Sequence, residues 1–135
     1  SDIGLLRKLA EVPVAALVTK DDVIGYREFK GAFAENYVLQ SLSTQSTANL
    51  RYWTSNNSAE VDFLLQYDTH ILPIEVKSGK STSSRSLTLY NAEKHPILRI
   101  RYSDKELKLD DNLLNIPLYM ADWTFALLDR VIASL

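Results

Sequence analysis

The chain has no cysteine, which excludes disulfides, thiolate metal sites and cysteine nucleophiles together and agrees with a cytoplasmic setting. No apolar run approaches the roughly 20 residues that span a bilayer. Nor is there a secretory pattern of basic start, apolar middle and small-residue cleavage site, so no membrane partner is expected. Strong charge of either sign is missing as well: 15 Lys and Arg against 17 Asp and Glu leave a net charge of −2. That excludes the global basic field of a dedicated nucleic-acid binder. It does not exclude a local basic strip or a bound metal ion that supplies positive potential at a phosphate. Internal repeats are also absent. An ordinary globular composition remains, 46% hydrophobic and 24% charged over 135 residues, which suits a single domain, 1–135, able to bury a real core. The opening Ser1-Asp2-Ile3-Gly4-Leu5-Leu6 lacks an initiator methionine and reads as an excision from a longer protein.

The chemically loaded stretch is Glu60-Val61-Asp62-Phe63-Leu64-Leu65, followed by Ile74-Glu75-Val76-Lys77. Residues two apart in a strand share a face. Glu75 and Lys77 therefore leave one face while Ile74 and Val76 enter a core, and Asp62 shares its face with Glu60 while Val61, Phe63 and Leu65 take the other. The intervening Gln66-Tyr67-Asp68-Thr69-His70 is short enough for a hairpin, which brings Asp62 to the Glu75/Lys77 pair. Carboxylates held that close do not both ionise easily without a cation between them, so the pattern favours a hard divalent ion bound through oxygen, Mg²⁺ or Mn²⁺. A lysine two residues on can orient a water or steady phosphate charge, the logic of metal-assisted phosphodiester hydrolysis. The bland alternative is a solvated ion pair at a sheet edge, with no metal affinity and a stability worth of about 0 to 1 kcal/mol.

Elsewhere the apolar spacing predicts one or two short helices over Gly4 to Leu17, broken at Pro13, with an apolar run from Val14 to Val18. Lys20-Asp21-Asp22 reads as a surface turn. A long helix is predicted from Tyr26 to Ser43, with Phe33, Tyr37, Val38 and Leu42 on one face. Glu35 lies beside that stripe, where a carboxylate needs a partner, a metal or a raised pKa. Ser43 to Asn49 is a connector. Strands follow at Leu50 to Thr54, Ala59 to Tyr67 and Ile71 to Ser78, with a turn at Ser55 to Ser58; Tyr52 and Trp53 are taken as packing residues. Gly79-Lys80-Ser81 is not a phosphate loop, because Ile74 stands where the first glycine is required. The loop Ser78 to Ser86 carries Lys80 and Arg85, which could meet a phosphate backbone or simply be solvated. Leu87 to Ala92 is a short helix, Ile97 to Tyr102 a fourth strand, Asp104 to Asp111 a polar turn, and Ile116-Pro117-Leu118-Tyr119 an edge segment. A last helix from Ala121 to Leu135 repeats Trp123, Leu127, Val131 and Leu135 on one face. His70 and His95 have no second ligand at metal spacing and receive no role.

Asp62, then about a dozen residues, then Glu75-Val76-Lys77, all after a helix bearing Glu35, resembles the Asp…Glu-x-Lys nuclease superfamily of the restriction-endonuclease-like fold. Val61 stands where that superfamily often has proline, a position that bears no ligand. Asp2 to Leu6, Gly31 to Asn36, Tyr52-Trp53, Glu60 to Phe63, Pro73 to Lys77 and Ile116 to Tyr119, in that order, look like the module of unknown function that follows the ATPase core in a large family of bacterial and archaeal AAA-type ATPases. The resemblance implies an α/β fold with an αβββαβ core, a central mixed sheet flanked by helices. It implies further that Glu35, Asp62 and Glu75 hold the metal with Lys77 as the catalytic lysine, and that a P-loop ATPase, the ATP-binding part, precedes the module in cis. DNA or RNA would be the substrate of an active site. The alternative is a catalytically inactive nuclease-fold module that binds a partner or regulates the ATPase.

Overall fold

The computed structural model describes residues 20–45, 51–54, 61–79 and 84–135, without the side chains of 20–29 and 51–54. Expectations for Gly4 to Val18, for the turn at Ser55 to Ser58 and for the packing of Tyr52 and Trp53 lie outside what is described.

Helix α1 (Lys20–Gln45) buries Ala34, Tyr37, Val38 and Leu42, which recur at three and four residues and so form one stripe. It is longer at both ends than its apolar pattern predicts. Lys20-Asp21-Asp22 forms its first turn, since polarity alone does not separate a surface turn from a helix end. At the other end Ser43 Oγ donates to the Gln40 carbonyl and Thr44 Oγ1 to that of Ser41, so these hydroxyls bond back onto the helix and the connector begins later.

Strands β1 (Arg51–Thr54), β2 (Phe63–Tyr67) and β3 (His70–Val76) form an antiparallel meander. A two-residue turn joins β2 to β3, with Asp68 at φ 54°, a left-handed conformation that Asp tolerates better than most residues. Helix α2 (Arg85–Lys94) then leads to β4 (Arg99–Ser103), which lies parallel to β3. Strands β5 (Lys108–Asp110) and β6 (Leu113–Pro117) complete a six-stranded mixed sheet in the order β1-β2-β3-β4-β6-β5. The αβββαβ order with helices flanking a mixed sheet is the expected architecture.

Two expectations at this end are corrected. Ile116-Pro117 belongs to an inner strand between β4 and β5, where the proline closes the ladder opposite Ser103 and interrupts nothing. The supposed polar turn at 104–111 contains β5, whose three residues are all exposed and so show no alternation to read.

One face of the sheet carries Phe63, Leu65, Leu72, Ile74, Val76, Ile100, Tyr102, Leu114 and Ile116, and α1 and the C-terminal helix cover it in one continuous core. Helix α2 covers the other face with Leu87, which is fully buried outside that cluster. A 3-10 segment at Leu118–Trp123 precedes helix α3 (Thr124–Ser134) and resets its phase. The buried positions of α3 are consequently Thr124 and Leu128, while Trp123 and Leu135, expected in the stripe, are 62% and 55% exposed. The Tyr102 hydroxyl and Thr124 Oγ1 share a buried hydrogen bond of 2.7 Å that anchors this phase, and Thr124 Oγ1 also donates to the Ala121 carbonyl.

No side chain of its own caps the start of α3. Gln45 does so from the end of α1: its Oε1 accepts the Phe125 N–H at 3.2 Å, and its Nε2 donates to the Ala121 carbonyl at 2.8 Å and to that of Ser41 at 2.7 Å. Replacing it takes the acceptor from the Phe125 N–H at a helix start and removes one of the donors to the Ala121 and Ser41 carbonyls, which keep the Thr124 and Thr44 hydroxyls. Gln45→Ala is therefore expected to lower unfolding stability by about 1 to 3 kcal/mol in urea denaturation, with Gln45→Glu, which keeps only the acceptor, falling between.

Candidate functional site

Asp62 lies one residue before β2. Since Phe63 faces Ile74, the register puts Asp62 opposite Glu75, and residues directly opposite in an antiparallel pair share a face. The predicted alternation holds through this stretch, with Val61, Phe63 and Leu65 buried and Asp62, Leu64 and Gln66 partly exposed. The Asp62 carboxylate is fixed by the Val76 N–H, which donates to Oδ2 at 2.7 Å.

Glu75 sits where β3 is buried on both faces and is only 6% exposed. Lys77 Nζ pairs with its Oε1 at 3.1 Å, with one third of the lysine side chain reaching solvent. The second oxygen, Oε2, is buried and has no hydrogen-bond partner among the described residues. A solvated edge pair would leave both partners in water, and this one does not. An unpaired buried carboxylate oxygen is costly, so the pocket calls for a donor or a cation.

Glu35 arrives from α1. That helix approaches the end of β3 at Gly31, where an added Cβ would stand 3.6 Å from Ser78 Oγ. One turn later Glu35 is half-buried, and its pKa is raised by burial first and by the negative charge of Asp62 second. Asp62 is likewise held above its ordinary value, chiefly by burial and also by Glu75, with the Val76 N–H and Lys77 opposing. Asp62, Glu75 and Lys77 thus form one cluster, and Glu35 joins it through electrostatics. Among the described residues no three carboxylate or imidazole groups close into a ready ligand shell. Asp62 and Glu75 offer the oxygen donors that a hard cation takes. Glu60 and Lys80 lie outside the described residues; Arg85 is exposed in the first turn of α2.

Sequence spacing did not reveal Arg101. It is the register partner of Glu75 on β4, but finding it requires knowing the β3–β4 pairing. Away from this cluster, His70 and His95 share a recess of about 320 Å³ with Thr69, Tyr90 and Lys94, at the β2–β3 turn and the C-terminal end of α2.

The chain belongs to the DUF4143 family, a domain of unknown function, whose family model matches residues 30–120 and so includes all four candidate residues. No curated protein matches the chain. Among the described residues no helix is long and apolar enough to cross a membrane.

The raised values fix the sign of a pH effect. Because folding favours the protonated forms of Glu35 and Asp62, their contribution to stability is complete below the ordinary values of 4.5 and 3.8 and is lost as pH rises through the folded values. Asp62→Asn retains an acceptor for the Val76 N–H and removes the charge. Urea unfolding between weakly acidic and neutral pH should show the variant gaining on the wild type as pH rises. Mn²⁺ should raise the melting temperature of the wild type and leave that of Asp62→Asn unchanged.

Proposed function

We propose that this chain is a nuclease-like module of an ATPase, performing metal-dependent hydrolysis of nucleic-acid phosphodiesters. The buried Oε2 of Glu75, which has no hydrogen-bond partner among the described residues and lies beside Asp62, carries this reading. Support also comes from the αβββαβ order and from the strand register that seats Asp62, Glu75 and Lys77 together. Asp62 and Glu75 would hold Mg²⁺ or Mn²⁺, with Glu35 assisting directly or through water. When bound, such an ion acts as a Lewis acid toward the phosphate and makes water a better nucleophile at neutral pH. Lys77 pairs its ammonium with one oxygen of Glu75 and keeps a third of its side chain exposed; there it would position the attacking water and offset charge growing on the phosphate oxygens. The Val76 N–H keeps Asp62 turned toward Glu75. The chain's partner is an ATPase domain in cis, and its site of action is the cytoplasm.

A second reading keeps the fold and drops the chemistry: an inactive scaffold that binds a partner or regulates the ATPase. It is favoured by the lack of a closed three-group ligand shell among the described residues.

Calorimetric titration of Mn²⁺ into the wild type and Asp62→Ala separates the two. The hydrolase reading expects uptake by the wild type and none by the variant. With labelled DNA and RNA oligonucleotides and Mn²⁺, it also expects cleavage that Asp62→Ala and Glu75→Ala abolish and that Lys77→Met lowers by roughly 10²-fold or more. Circular dichroism confirms folding of each variant. Metal uptake without cleavage of any oligonucleotide would favour the scaffold, and no uptake by the wild type would reject the metal site.

A further inference from the structure

Strand β5 ends the sheet order, and among the described residues no strand lies beyond it. The turn Asp111-Asn112 joins it to β6, with Asp111 at φ 54°, so Asp110 and Leu113 close a two-residue hairpin. In such a turn the carbonyl of the first flanking residue accepts from the N–H of the last. Hydrogen-bonding direction then alternates along an antiparallel pair. Asp110 and Lys108 therefore spend their backbone groups on β6, and Leu109 turns its N–H and carbonyl outward to the open edge.

The side chains alternate as well. Leu109 stands opposite Leu114 and so on the core face, yet it is 41% exposed where Leu114 is 2%, because the sheet stops before that face is covered. Leu107, two residues earlier, is equally open. Lys108 and Asp110 leave the opposite face, are both exposed, and form no ion pair among the described residues. The approach to β5 is fixed, since Asn115 Nδ2 donates to the carbonyls of Lys105 and Glu106 at 3.1 and 2.9 Å. The edge is held ready before any partner arrives, which lowers the ordering cost of pairing.

Lys108-Leu109-Asp110 is its own complement. With a two-fold axis through Leu109, a second β5 lies antiparallel to the first, and the two Leu109 residues exchange both backbone hydrogen bonds. Each Lys108 then faces the partner's Asp110, and the two Leu109 side chains meet on the core face. A shift of two residues either way keeps the outward groups matched but sets Lys108 against Lys108 or Asp110 against Asp110. A shift of one sets the outward groups of Leu109 against a residue already bonded to β6. The charges thus select a single register.

We propose that β5 is a self-association edge, pairing antiparallel with β5 of a second copy of this chain in the register Leu109 to Leu109. The inference does not depend on the metal reading. A contact centred on so short a strand falls at or below the roughly 1,200 Å² that specific, stable interfaces bury, so the dimer is weak and concentration-dependent.

Sedimentation of the full chain from about 10 μM to about 1 mM covers the affinities expected of such a contact. The wild type should pass from monomer to dimer over this range, less readily as salt rises. Lys108→Asp and Asp110→Lys each set like charges together twice, once on either side of the two-fold, and should weaken association by roughly tenfold or more. Mixing these two variants restores opposite charges in every cross-strand pair, as does Lys108→Asp/Asp110→Lys in one chain, and both should recover the dimer. Leu109→Pro removes an N–H that faces solvent in the monomer, a place where an edge strand tolerates proline, and should stay monomeric. Circular dichroism checks the fold of each variant. A wild type that is monomeric throughout overturns the proposal and leaves the edge to a strand of another protein. Dimerisation that the single charge changes leave intact, or that mixing fails to restore, overturns it as well and moves the contact to another face.

Discussion

Strand β3 constrains the whole structure: it pairs antiparallel with β2 on one side and parallel with β4 on the other, and from Leu72 to Val76 it is buried on both faces. Such a strand can carry a polar side chain only where a partner waits for it. Pro73 fits because the pairing with β4 begins one residue later, at Ile74, so no ladder bond on that side is lost. Glu75 fits because Lys77 follows it and pairs with one of its oxygens, although the carboxylate of Asp62 stands opposite as a like charge. The change from antiparallel to parallel pairing is thus also where charge enters an apolar sheet.

The two faces of the sheet serve different ends. Aliphatic side chains and Tyr102 fill the face beneath α1 and α3, where the buried Tyr102 hydroxyl is satisfied by Thr124. Beneath α2 the same strands present Glu75, Arg99, Arg101, Ser103 and Asn115, tied by side-chain hydrogen bonds that include Arg99 to Asn112 and Arg101 to Asn115. The hydrogen-bonded members, Arg99, Arg101, Ser103 and Asn115, are held in one geometry more strictly than by apolar packing alone, while Glu75 Oε2 has no partner among the described residues. That rigidity is what a site for a charged ligand needs.

Much of this was legible in the chain because period-2 alternation through Val61, Phe63 and Leu65 and helical spacing through Tyr37, Val38 and Leu42 are local signals. The clustering of Asp62 with Glu75 and Lys77 was equally local, since it needs only one hairpin. Other features depend on partners distant in sequence. Arg101 joins the site only through a parallel pairing that no spacing encodes, and β6 looked like an edge because Pro117 was visible and β5 was not. The stripe expected on α3 holds at Leu127 and Val131, which pack on the core, and fails at Trp123 and Leu135, because the helix begins at Thr124 with Thr124 and Leu128 innermost. Glu35 was correctly singled out as a carboxylate beside an apolar stripe, and its raised pKa follows from that burial.

The bridge made by Gln45 bears on how the chain acquires its structure during synthesis. The cap for α3 is donated from the end of α1, across sequence separations of 76 and 80 residues, and the Tyr102 hydroxyl must wait for Thr124. The meander can pair locally and early, but the part of the core face that α3 covers stays open until Thr124–Ser134 has been made and has docked. Until that helix docks, the open part of the sheet is the species on which a chaperone would act.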